Sequence, residues 1–260
     1  MIALKSGREI ECIKRAGMVV AEVLDNIQRT VTSGMTTQDV DDFTNELLNK
    51  YNSAEPAFLG YRGFPKSICV SINEQVVHGI PSRDKIIGEG DVVSLDFGVC
   101  MKGYYADAAV SFQVSPFDPE VQRFLSTCKE ALQAGLEKTL VGNRVGDISS
   151  AIQKTVESSG YNVVKSLVGH GIGRNLHEEP QVPNYGNSEE GILLQEGMVL
   201  AIEPMINMGA SGVKTLDDEW TIVTIDGSLS AHFEHTVVVK REGPDVLTVS
   251  AERMAASNDL

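Results

Sequence analysis

Four acidic residues of this chain stand inside apolar, strand-like runs: Asp96 in VVSLDFG, Asp107 in YYADAAVSF, Glu203 in VLAIEPM and Glu234 in SAHFEHTVVV. A carboxylate in such a setting costs several kcal/mol of desolvation unless a cation or a set of donors compensates it. Each acid taken alone reads as a strand-end carboxylate exposed to water, but four together do not. Lys102 is the one basic residue near Asp96 and Asp107 in the chain, so divalent cations are the fitting partner. His170, in GHGIG, adds an imidazole, and its flanking glycines are expected to let the backbone approach a metal or ligand closely. Four carboxylates and one imidazole suit Mn²⁺, Fe²⁺, Co²⁺ or Zn²⁺ in a catalytic pair, not a Cys-rich structural zinc. Four negative charges balance two dications, and such a pair would activate water for attack. His78 and His177 remain as neutral imidazoles able to donate hydrogen bonds to a substrate carbonyl or its oxyanion. The HEEP string at 177–180 is not an HExxH zinc helix, because the second His is absent and Pro180 stops a helix. The chain also has no GxSxG, no Walker A and no GxGxxG turn.

Regular elements must hold these groups, and periodicity makes them visible. Ser6 and Glu9 form a capping box, and Ile10, Ile13, Gly17, Val20, Leu24 and Ile27 share one face, which predicts a helix over about 7–29. A second helix is expected after Thr37, with Val40, Phe43, Leu47 and Tyr51 on its apolar face and Asn52-Ser53 as its stop. Asp118 and Pro119 open a third, through Leu136; Asp147 is expected to open a fourth, which ends before Gly160. The two halves, about 1–115 and 116–250, repeat the same order of signals. Helix, SGMTTQDV, helix, VVHGIP and EGDVVSLDFG are answered by helix, VGNRVGDI, helix, VGHGIG and EGMVLAIEPM. His78 thereby aligns with His170 and Asp96 with Glu203, with insertions near 53–75 and 174–195. A pseudo-symmetric α+β domain is expected over 1–260, strands of both halves in the middle and four helices outside.

Composition narrows the partners. The chain has 260 residues, 42% hydrophobic and 22% charged, with a net charge of −14. That sign disfavours binding DNA or RNA through phosphate neutralisation. No apolar run approaches a membrane span and no signal-peptide core is present, so a cytoplasmic location is expected. Cys12, Cys69, Cys100 and Cys128 form no CxxC pair and read as free thiols. The last residues, 252–260, read as a polar tail. No coiled-coil pattern stands out, and a monomer is expected.

Taken together, HGIP with His78, SLDFG with Asp96, ADAAVSF with Asp107, GHGIGRNLHEEP with His170 and His177, GMVLAIEPM with Glu203 and FEHTVVV with Glu234 resemble type I methionine aminopeptidase over nearly the whole chain. The resemblance implies the pseudo-twofold pita-bread fold of creatinase and the aminopeptidases, a central antiparallel sheet with two helix pairs outside. It also implies removal of the initiator methionine from nascent chains when the next residue is small, with the ribosome as a neighbour. Carried over by motif, Asp96 would chelate one metal, Asp107 and Glu234 would bridge both, and His170 with Glu203 would bind the other. Glu203 would shuttle the proton, and His78 and His177 would contact substrate. Phe58, Tyr61, Phe64, Cys69, Leu176 and Trp220 would line the slot for the methionine side chain. Relatives often carry Cys at position 58, Tyr at 64 and Phe at 176, so the slot differs in shape while staying apolar. Asn73, Gln75 and Ser230 match positions where the family can hold a structural monovalent cation. The other readings are a proline-directed peptidase of the same fold and a scaffold that has lost its metals; the intact ligand set disfavours the scaffold.

Overall fold

The computed structural model describes residues 2–250. Helix α1 spans Gly7–Thr30, with the Ser6 backbone and hydroxyl both donating to the Glu9 carboxylate at its start. Helix α2 spans Thr37–Leu48 and starts from a Thr36–Asp39 box of the same kind. It ends three residues before Tyr51, short of the stop expected at Asn52-Ser53. Tyr51 instead turns to donate to Glu22 on α1 at 2.6 Å, and Ser53, with φ 67°, reverses the chain. Helix α3 spans Pro119–Glu137, its first turn capped by Asp118, whose carboxylate accepts from the amides of Glu120 and Val121. Helix α4 spans Val145–Ser158. Asp147 does not open it; it is the third helical residue and reaches back to accept from the Arg144 amide at 2.8 Å.

The strands form one main antiparallel sheet of nine among the described residues. Its path runs Ala54–Pro56, Val92–Met101, Tyr104–Gln113, Glu234–Val238, Val199–Ile202, Val168–Gly171 and Glu178–Pro183. Cys69–Ile72 joins beside Val92–Met101, and Asp245–Val246 joins beside Glu234–Val238. Strands from both halves of the chain therefore meet at the pairing of Tyr104–Gln113 with Glu234–Val238.

Each helix pair covers its own part of this sheet. Ile13, Val20, Leu24 and Ile27 of α1 and Val40 and Leu47 of α2 pack with Val93, Leu95, Phe97 and Val99. Phe124, Leu132, Ile148 and Ile152 of α3 and α4 pack with Leu200, Ile202, Val237 and Val239. Burying an aliphatic side chain of this size contributes about 1.5–3 kcal/mol, so the two clusters clamp the sheet from which the acids project. All four cysteines are free. No helix of the described residues is long and apolar enough to cross a membrane. The tail expected over 252–260 lies outside the described residues.

Candidate metal centre

Strand register decides where the acids point. Residues directly opposite each other in an antiparallel pair share a face, as do residues two apart in one strand. Asp96 is paired with both Cys69 and Ala109, and Ala109 is paired on its other side with Glu234. Cys69, Asp96, Ala109 and Glu234 thus form one row across four strands. Asp107 lies two residues before Ala109, and Thr236 two after Glu234. Thr236 is opposite Ala201, Ala201 is opposite His170, and Glu203 follows Ala201 by two. All five candidate ligands therefore leave the same face of the sheet, and they come from both halves of the chain.

Donor atoms of Asp107, His170 and Glu234 lie within 4.8 Å of one another. His170 Nε2 is 3.6 Å from Asp107 Oδ2 and 3.5 Å from Glu203 Oε1. His170 Nδ1 is 2.9 Å from the Gly171 carbonyl, which can only accept, so the proton sits on Nδ1 and Nε2 offers its lone pair to the acids. The glycines beside His170 are required by the sheet itself. A Cβ on Gly169 would stand 2.4 Å from the Ala201 carbonyl oxygen and one on Gly171 would stand 2.2 Å from that of Glu179. The absent side chains let the neighbouring strands close around His170.

The electrostatics are those of an anionic cage. Asp107 and Glu234 are buried, and Asp96 and Glu203 are mostly enclosed. Desolvation, reinforced by Asp107, raises the Asp96 carboxyl well above its ordinary range. Desolvation, then the charges of Asp107 and Asp96, does the same to Glu203, and burial with Asp107, Glu203 and Asp96 does so to Glu234. Asp107 is pushed by burial to about 6, held there by opposing contributions from His177 and the Thr236 hydroxyl. The basic groups against these acids are imidazoles, and burial holds His170 down to about 4. Neutral imidazoles cannot balance four carboxylates, whereas divalent cations can, and the donor set is oxygen-rich with one nitrogen. The residues present fit a divalent metal site.

Above the acids opens a cleft of about 270 Å³. It contains every residue expected for the slot, Phe58, Tyr61, Phe64, Cys69, Leu176 and Trp220, together with His78 and His177. Val77, Leu167 and Met205 also line it and carry no motif that marks them. Phe64 meets Trp220 edge-on at 5.1 Å between centroids, and Trp220 meets His78 at 6.0 Å. His78 has a left-handed backbone, φ 60°, at the end of the Gln75–Val77 strand. Desolvation lowers its pKa, and a hydrogen bond to the Trp220 backbone opposes this. His177 stands at the exposed rim, its Nδ1 2.8 Å from the Tyr61 hydroxyl and its ring 4.3 Å from that of His170. Its pKa is lowered by desolvation and then by His170. Elsewhere, the Ser230 amide donates to the Asn73 carbonyl at 2.9 Å, while the Gln75 side chain accepts from the Ile72 amide.

Two polar residues of the centre escaped the motifs. Thr236 places its hydroxyl 2.8 Å from the Asp107 carbonyl and 3.1 Å from Oδ1, and His232 lies buried with Nε2 3.9 Å from Glu203 Oε2. The signal was present as alternation: His232, Glu234 and Thr236 recur with the period of two that sends side chains to one face.

The chain matches the model of metallopeptidase family M24 over residues 11–241. A methionine aminopeptidase of Clostridium acetobutylicum is 48% identical over 249 residues, which cover 96% of this chain and 99% of that protein. The crystal structure of methionine aminopeptidase from Thermotoga maritima superposes with a TM-score of 0.94 at 44% identity, covering 96% of this chain and all of that one. A prolidase from Pyrococcus horikoshii, at 24% identity and a TM-score of 0.76, shares the fold, but this chain covers only 63% of it. The architecture these structures share is the pita-bread fold, mixed helix and antiparallel sheet, that the sequence implied.

Proposed function

Since the chain belongs to metallopeptidase family M24, we propose that its five converging ligands hold a pair of divalent cations, with Mn²⁺ and Co²⁺ among the competent metals, and that it removes the N-terminal methionine of newly made proteins when the second residue is small. It is a metal-dependent aminopeptidase. The observation that carries the reading is the row of carboxylates on one sheet face, flanked by an imidazole whose lone pair is turned toward them.

Asp96 would hold one cation and His170 with Glu203 the other, with Asp107 and Glu234 placed to serve both. Cations bound there would supply Lewis acidity to a water and to the scissile carbonyl. A free substrate amine would be a further ligand for the metal pair, which chain ends supply and which internal peptide bonds and a formylated terminus lack. Glu203 accepts a proton and passes it to the leaving amine. His78 and His177 are neutral at physiological pH and donate to the carbonyl oxygen as negative charge develops on it. Tyr61, bonded to His177 Nδ1, fixes the orientation of that ring. Phe58, Phe64, Cys69, Leu176 and Trp220 receive the methionine thioether in an apolar slot. Backbone oxygens of Asn73, Gln75 and Ser230 are the groups that would hold a structural monovalent cation. The substrate is a chain just leaving the ribosome, so the place of action is the cytoplasm, and the enzyme works as a monomer.

The deciding assay incubates the Mn²⁺-loaded or Co²⁺-loaded protein with Met-Ala-Ser and with Ala-Pro-Ala. Methionine released from the first and nothing from the second is the expected result. Cleavage confined to the second would make the chain a proline-directed peptidase, and cleavage of neither would make it a scaffold.

A further inference from the structure

His232 is 1% exposed, and neither of its ring nitrogens has a hydrogen-bond partner. An imidazole always carries at least one N–H, so a donor is buried here without an acceptor, which native interiors seldom tolerate without a reason. The position has no slack. The His232 amide donates to Ser111 Oγ at 2.8 Å, Ser111 Oγ donates to the His232 carbonyl at 2.8 Å, and the residue is paired with Met205 across neighbouring strands.

Facing His232 Nε2 at 3.9 Å is Glu203 Oε2, while Oε1 of the same carboxylate faces His170 Nε2 at 3.5 Å. The two oxygens of Glu203 are divided between two imidazoles, and the imidazoles differ. His170 has committed its Nδ1 proton to the Gly171 carbonyl and presents a lone pair, whereas His232 has no such bond and its Nε2 can carry the proton. A movement of about 1 Å by the flexible glutamate side chain brings Oε2 within N–H···O distance.

We propose that His232 is a positioning residue for Glu203: it donates Nε2–H to Oε2 and so leaves Oε1 directed at the metal centre. The inference rests on the metallopeptidase reading above and adds a residue to it. A carboxylate with one oxygen claimed by a fixed donor offers the other at a set angle, and outer partners of this kind change metal affinity or activity by about 10–100-fold when removed.

The test titrates metal-free wild type, H232Q and H232L with Mn²⁺ by calorimetry and measures kcat and KM for Met-Ala-Ser as a second readout. Gln keeps an N–H donor of similar reach, whereas Leu keeps bulk without a donor. H232L is expected to bind Mn²⁺ at least about tenfold more weakly and to lose about tenfold or more in kcat with KM little changed, while H232Q stays within about threefold of wild type. Should H232L fail to fold, H232N, whose amide stops one methylene short, takes its place in the comparison. Wild-type affinity and kcat in H232L would overturn the proposal. So would an H232Q as impaired as H232L, because loss of packing alone gives that pattern. A wild type that binds no Mn²⁺ would overturn the metal-centre reading itself, an outcome distinct from failure of the variant series.

Discussion

At the scale of single residues, groups proposed to hold metal respond to substitution differently from groups proposed to touch substrate. Asp96→Ala should lower Mn²⁺ occupancy and cut turnover by more than about 100-fold, because a ligand with its charge is lost. His78→Ala should keep its metal and lose rate alone, its imidazole acting only on the developing oxyanion. Metal analysis beside turnover reads both, and a metal-free His78 variant would contradict the division. The raised carboxyl of Asp107 gives a pH dependence with a definite sign. Its pKa moves from 3.8 to about 6 in the fold, so protonation stabilises the metal-free protein below about pH 4 and that stability is lost as pH rises through about 6. Metal needs the deprotonated carboxylate and the neutral imidazole, so bound protons compete with it. The rise in Tm on adding Mn²⁺ should therefore grow across this window, and a rise that shrinks with increasing pH would contradict it. The acids were legible because a charge inside an apolar strand is costly enough to demand an explanation. His232 and Thr236 were less so: their alternation with Glu234 marks a shared face, but a neutral polar side chain inside a strand does not by itself demand an explanation.

At the scale of elements, register turns scattered sequence positions into one site. Ala109 lies between Asp96 and Glu234 in the row, and opposite Cβ atoms in such a pair are about 4.5–5.5 Å apart. A larger side chain there would occupy the space between the carboxylates. Ala109→Leu should weaken Mn²⁺ binding by at least about tenfold while circular dichroism shows the fold retained; unchanged binding would mean that the row does not face the centre. Helix starts at Ser6 and Asp118 were readable because caps have a side-chain chemistry of their own. The ends of α2 and the start of α4 were less so. Tyr51 has the spacing of a helical position but is drawn to Glu22 on another helix, and an acid at a helix start reads equally well as the cap or as the third residue. The glycines flanking His170 were legible as a close approach, but only the sheet reveals that the approaching atoms are strand carbonyls.

At the scale of the whole molecule, the order of helices, turns, histidines and acids was enough to suggest a two-lobed α+β architecture, since local periodicity marks each element. Pairing between the lobes was not legible, because contacts such as Ala109 with Glu234 join residues far apart in the chain and leave no local pattern. Likewise the slot-lining Val77, Leu167 and Met205 look like ordinary core residues until the cleft is built around them. On the reading proposed above, acids from both lobes share two dications on one sheet face. Anomalous diffraction from Mn²⁺-soaked crystals tests it most directly. Two peaks about 3.5–4 Å apart, enclosed by Asp96, Asp107, His170, Glu203 and Glu234, are the predicted result; peaks lying elsewhere, or none at these five residues, would contradict it.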